Sequence, residues 1–134
     1  MVYVGSNDFN VYALNAGTGA LLWKYTTGSY VRSSPAVANG VVYFGSDDFN
    51  VYALNAGTGA LLWKYTTRSY LDSSPAVANG VVYVSSDDYN VYAFSLPASD
   101  APAPPERPDP RTLSPDLALP VSRPTAKLPA TDDE

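Results

Sequence analysis

Residues 33–67 read SSPAVANGVVYFGSDDFNVYALNAGTGALLWKYTT, and this stretch decides the fold. Ser34–Ala38 is predicted as a short strand, with Pro35 near its start where a missing N–H is tolerated. Asn39-Gly40 follows as a hairpin signal, because both central positions of a type I′ turn need positive φ. Val41–Gly45 is rich in β-branched and aromatic residues and forms the next strand. Ser46-Asp47-Asp48-Phe49-Asn50 makes a polar loop, Val51–Leu54 a third strand, Asn55–Gly59 another turn, and Leu61–Thr66 a fourth strand. Strands joined by such short turns form an antiparallel meander.

The apolar pattern says how the meander is used. Val41-Val42-Tyr43-Phe44 and Val51-Tyr52-Ala53-Leu54 are apolar on both faces. A sheet with one wet side alternates apolar and polar residues; one apolar on both sides must lie between other sheets. The chain supplies those neighbours by repetition. Laying Val2–Val41 over Val42–Val81, a shift of 40, leaves differences only at Val4/Phe44, Asn7/Asp47, Gly28/Arg68, Val31/Leu71 and Arg32/Asp72. A third copy runs from Val82 to about Phe94 and then dissolves. Sandwiched four-stranded meanders repeated at about 40 residues describe the blades of a β-propeller. The expected fold is all-β: a partial propeller of about two and a half repeats over residues 1–96. It divides into outer strands of a first blade (2–33), a complete blade (34–73) and an incomplete blade (74–96).

The unit resembles the repeat of the PQQ-like (quinoprotein-type) propeller family over Val2 to about Phe94. The pattern Ala-x-Asp/Asn-x-x-Thr-Gly-x-x-x-Trp, the tryptophan-docking motif of that family, stands here as Ala13, Asn15, Thr18, Gly19, Trp23 and again as Ala53, Asn55, Thr58, Gly59, Trp63. The resemblance implies that each Trp packs on the next blade, against the peptide around its Gly and Ala. The third copy keeps Ala93 but reads Phe94-Ser95-Leu96-Pro97, without the Thr-Gly and Trp equivalents. Family rings commonly close with about eight blades. The expectation is therefore a segment of a longer propeller, a homo-oligomer that completes the ring, or an open stack with exposed, aggregation-prone sheet faces.

Composition narrows the chemistry. The chain has no Cys and no His, which removes disulfides, thiol chemistry and imidazole bases, and no Glu precedes Glu106. The quinone dehydrogenases that the repeat resembles hold their cofactor near adjacent cysteines and calcium on carboxylates. None of those residues has a counterpart, so no cofactor, catalytic or metal residue is expected. Asp47-Asp48-x-Asn50, with Asp87-Asp88-x-Asn90 and Asn7-Asp8-x-Asn10, lacks the alternating ligands and closing bidentate acid of a calcium loop. It reads as a turn whose Asp and Asn cap their own backbone. Phe9, Phe49 and Tyr89 sit at the tips of these loops. Each ring is expected to fold onto its own hairpin or the next; the sharper reading is an aromatic row that binds protein or glycan.

The net charge of −5 offers no basic face for nucleic acid, and no run has the length of a membrane span. Met1-Val2-Tyr3-Val4-Gly5 enters a strand directly and shows no signal peptide. Compartment is left open, although relatives of the family are often envelope-associated. From Pro97 to Glu134 the sequence carries ten of the 12 prolines and none of the aromatic residues. A segment so poor in burial is predicted to be disordered, with polyproline II character. The function expected is a non-catalytic interaction scaffold that binds a protein partner or further blades. The alternatives are part of a quinone-dependent dehydrogenase and a self-assembling structural protein.

Overall fold

The computed structural model describes residues 1–96; the expectations for the proline-rich stretch 97–134 lie outside the described residues. Its strands are β1 Val2–Gly5, β2 Asn10–Leu14, β3 Leu21–Thr26, β4 Ala36–Ala38, β5 Val41–Gly45, β6 Asn50–Asn55, β7 Leu61–Thr66, β8 Ala76–Ala78, β9 Val81–Ser86 and β10 Asn90–Ser95. They pair antiparallel into three sheets, ordered β1-β2-β3, β4-β5-β6-β7 and β8-β9-β10. No helix occurs among the described residues. Asn39 and Gly40 both have positive φ, 51° and 75°, which is the turn that Asn-Gly prepares.

β4 starts two residues later than the sequence suggests. Pro35 has no N–H to give to a ladder, and the Ser34 N–H is taken by Ser74 Oγ at 2.9 Å. Ser34 thus reaches the segment before the neighbouring sheet, while Ser33 Oγ accepts the Gly45 N–H of its own sheet at 3.1 Å.

The sheets stack face to face. Side chains of the middle sheet divide by parity, as a pleated strand requires. Val42, Phe44, Tyr52 and Leu54 pack against Tyr3, Val11, Trp23 and Tyr25 of the first sheet. Val41, Tyr43, Val51, Ala53 and Trp63 pack against Val82, Val84 and Phe94 of the third. Strands β5 and β6 are buried along nearly their whole length, while β3 and β8 are largely open. Two-sided apolar sequence therefore means two covered faces only for the middle sheet; each outer sheet keeps one face open.

The segments joining consecutive sheets are part of this packing. Val31 and Leu71 are almost fully buried. A Cβ added to Gly5 would lie 2.6 Å from Val31 O, and one added to Gly45 would lie 2.6 Å from Leu71 Cβ. Glycine at these strand ends lets the connecting backbone lie directly on the sheet.

Candidate functional site

The docking turns form first from local bonds. Asn15 Oδ1 accepts the Gly17 and Thr18 N–H groups at 2.8 and 3.0 Å, and Asn55 Oδ1 accepts those of Gly57 and Thr58 at 2.9 and 3.0 Å. Thr18 and Thr58 hydroxyls accept the Ala20 and Ala60 N–H groups. Gly19 and Gly59 close the turns at φ of 74° and 76°, where a side chain would be strained. The two turns are near copies; their surroundings are not.

At the first interface the Trp23 indole donates from Nε1 to Ala56 O at 3.0 Å, and Tyr3 donates its hydroxyl to the same oxygen at 2.9 Å. The indole lies on Gly59, where an added Cβ would be 2.6 Å from Trp23 Cδ2. Ala13 and Ala53, fully buried, are the cross-strand partners of Trp23 and Trp63 and leave room for the rings. At the second interface, Leu96 stands at the place of Ala56 and Pro97 follows it. Trp63 is buried there against Phe94, with ring centroids 4.9 Å apart, and against Tyr43 at 6.1 Å. The Tyr43 hydroxyl is buried with no partner among the described residues, and burial pushes its pKa upward. On the first sheet, Asn15, Thr18 and Gly19 are exposed, and no described atom would meet a Cβ at Gly19 within 4 Å.

The Asp-x-Asn loops are internally engaged. Asp48 Oδ1 accepts the Asn50 N–H at 3.0 Å, while Oδ2 takes the Tyr52 hydroxyl and, at 2.9 Å, the Gly28 N–H of the preceding connection. Asp88 repeats this with Asn90, Tyr92 and Arg68, and Asp8 with Asn10 and Tyr12. The Tyr12 hydrogen bond holds the Asp8 carboxyl down at about 2. Burial opposes ionisation of Asp88, yet the bonds from Tyr92, Arg68 and Asn90 outweigh it and lower its pKa. No group of three or more acidic, His or Cys side chains placed to hold a metal occurs among the described residues. Together with the absence of Cys, these residues do not fit the quinone–calcium chemistry of the dehydrogenases that the repeat resembles.

Phe9, Phe49 and Tyr89 all have positive φ, 76°, 75° and 70°, a costly conformation for a bulky residue. Two of them have a compensating contact. Phe9 meets Tyr30 edge-on at 5.3 Å, and Phe49 meets Tyr70 in the same way at 5.3 Å. Their carbonyls accept both N–H and Oγ1–H of Thr27 and Thr67. Tyr89 is fully exposed, so the expectation that every ring folds onto a hairpin fails there. The physical reason is that the partners of Phe9 and Phe49 come from the connection to a following sheet.

One feature was not read from the sequence. Arg32, Asp47, Asp72 and Asp87 line an open pocket of about 320 Å³ with Tyr30 and Tyr70. Arg32 Nε lies 3.4 Å from Asp47 Oδ2, and its guanidinium sits over the Tyr30 ring at 5.0 Å. Burial raises the Asp47 pKa; Arg32 lowers it, and Asp72, Asp87 and Asp48 raise it further. The signal was available in the repeat differences, since Asn7/Asp47 and Arg32/Asp72 change charge together.

A family model described as outer membrane protein assembly factor BamB matches residues 2–100. Among solved structures, BamB from Moraxella catarrhalis aligns at 17% identity and a TM-score of 0.62, over 70% of this chain and 28% of that one. A europium-containing methanol dehydrogenase aligns at 26% identity and 0.59, over 70% of this chain and 21% of that one. The quinohemoprotein alcohol dehydrogenase ADHIIG from Pseudomonas putida HK5 aligns at 28% identity and 0.60, over 69% of this chain and 17% of that one. The chain thus spans less than a third of the length of each. No curated protein matches the sequence.

Proposed function

Because the chain belongs to the PQQ-like β-propeller family described by the outer membrane assembly factor BamB, we propose that it is a non-catalytic propeller segment serving as a protein-interaction scaffold. One observation carries this reading. The repeated polar side chains, Asp48, Asn50 and Asn55 with their copies, are engaged in turns and in contacts between sheets. Beside these engaged groups the surface carries exposed aromatic and aliphatic side chains, Tyr89, Tyr70, Leu21, Val2 and Val4 among them. Such a surface favours binding to protein over acid–base chemistry. We take the docking motifs as structural, Phe9, Phe49 and Tyr89 as a row available to a partner, and the stretch 97–134 as a spacer. The family description also favours an envelope location. Among the described residues no helix is long and apolar enough to cross a membrane.

The identities of 26% and 28% to a methanol and an alcohol dehydrogenase support a second reading, part of a quinone-dependent dehydrogenase whose site is carried by other blades. Titrating the full chain with pyrroloquinoline quinone and calcium separates the two. The scaffold reading expects no change in quinone absorbance and no shift in melting temperature. Saturable quinone binding with calcium-dependent thermal stabilisation would overturn it.

A further inference from the structure

We infer that the two open sheet faces are the halves of one interface, through which copies of this chain associate head to tail. The chain already makes this interface twice. In each case the odd-numbered face of one sheet meets the even-numbered face of the next: Tyr3, Val11 and Trp23 on Val42, Phe44 and Leu54, then Tyr43, Val51 and Trp63 on Val82, Val84 and Phe94. What is left uncovered is an even face on the first sheet and an odd face on the third.

The first sheet offers Val2, Val4, Tyr12, Leu14 and Leu21 in the places of Val42, Phe44, Tyr52, Leu54 and Leu61. Val2, Val4 and Leu21 are 45%, 44% and 55% exposed, whereas Val42 and Phe44 are fully buried. The third sheet offers Ala76 and Ala78, exposed, with Val81, Tyr83 and Val91, half-buried, in the places of Ala36, Ala38, Val41, Tyr43 and Val51; Ala93, in the place of Ala53, is already buried. The receiving turn is also prepared. Asn15–Gly19 has the bonds and dihedral angles of Asn55–Gly59, so the carbonyl of Ala16 stands ready for Tyr83 as that of Ala56 stands for Tyr3.

One substitution sets the open face of the third sheet apart from the two internal interfaces. Where Gly5 and Gly45 receive the connecting residues Val31 and Leu71, the third sheet carries Ser85. Its Cβ occupies the space that such a connection needs. A sheet of a second copy, docking as a separate body, brings no connection along that line. Ser85 instead bonds Ser73 of the segment entering its sheet, donating at 2.8 Å. The third sheet has no Trp in the place of Trp63, so this contact lacks the indole and is weaker than the internal interfaces. A heterologous contact of this kind propagates into rings or filaments.

The inference goes beyond the proposed function and stands or falls separately. Light scattering of the full chain over increasing concentration should show mass above that of one chain. Val4→Lys with Leu21→Lys places charge on the exposed first face, and Ala76→Lys with Ala78→Lys on the exposed third face. Each double variant alone should be a single chain, with wild-type circular dichroism showing that it folds. Mixed, the two variants should form a 1:1 dimer and nothing larger, because each retains the half that the other lacks. A wild-type chain of single mass throughout would overturn the inference, as would blocked variants that still self-associate or a mixture that stays monomeric. A monomeric chain that also binds no quinone would leave the scaffold reading intact.

Discussion

The two internal interfaces are built from nearly the same sequence and yet are held differently. Between the first and middle sheets, one carbonyl, that of Ala56, collects the Trp23 and Tyr3 donors, and Gly59 supports the indole. Between the middle and third sheets, Trp63 is the more buried ring but is fixed by Phe94, and the Tyr43 hydroxyl is left unpartnered among the described residues. The difference teaches that a Trp at the docking position secures burial, whereas the Gly-containing turn of the next sheet secures the hydrogen bond. Sequence repetition preserves the first property without the second.

The largest expected effect falls on burial. Trp63→Ala should cost about 3–5 kcal/mol in urea unfolding, the range for truncating a buried aromatic ring. Trp23→Ala, whose ring is only partly buried, should cost less. If the order reverses, the hydrogen bond and not burial dominates docking.

Next comes the support beneath the indole. Gly59→Ala meets two obstacles, the positive φ and the Trp23 ring, whereas Gly19→Ala meets only the first. The Gly19 variant should lose about 1 kcal/mol for the strained backbone. The Gly59 variant should lose clearly more, and its excess should vanish in a Trp23→Ala background. Equal losses in the two single variants would mean that the indole does not rest on Gly59.

The paired tyrosines should differ in sign. Tyr3→Phe removes a hydrogen bond to Ala56 O and should destabilise by about 1 kcal/mol. Tyr43→Phe removes a buried hydroxyl without a partner and should leave stability unchanged or raise it by about 1 kcal/mol. A loss at both positions, read from matched unfolding curves, would show that the Tyr43 hydroxyl is bonded in solution.

What the sequence revealed follows the same division. The strands, the Asn39-Gly40 turn, the stacking of two-faced apolar sheets and the Asp48 loop bonds were legible because each depends on residues close in sequence or on parity within a strand. The shared acceptor at Ala56, the Arg32–Asp47 pair and the exposure of Tyr89 were not. They depend on which atoms of one copy reach another, some 15 to 53 residues away. Gly5 and Gly45 were legible in principle: a glycine repeated at a strand end marks close backbone approach. The open faces were concealed by the repetition itself, since Val2 and Val42 look alike until their neighbours are counted.

Acid should separate the loops by the smallest margin. Asp8 and Asp88 have lowered carboxyl pKa values in the folded chain, so they bind fewer protons folded than unfolded. Their contribution is complete above the unfolded value near ~3.9 and is lost as pH falls, for Asp8 through about 2. Asp47 has a raised pKa, chiefly from burial, so its contribution runs in the opposite direction and is lost as pH rises through its folded value. Carboxyl chemical shifts followed from pH 7 to 2 should therefore show Asp47 protonating first, with Asp88 and Asp8 after it. Arg32→Gln removes the cation that, among the described residues, favours ionised Asp47, and should move that titration to still higher pH while leaving Asp8 in place. An unmoved Asp47 would show that the ion pair across the first connection does not form, and that burial and the neighbouring carboxylates govern the pocket.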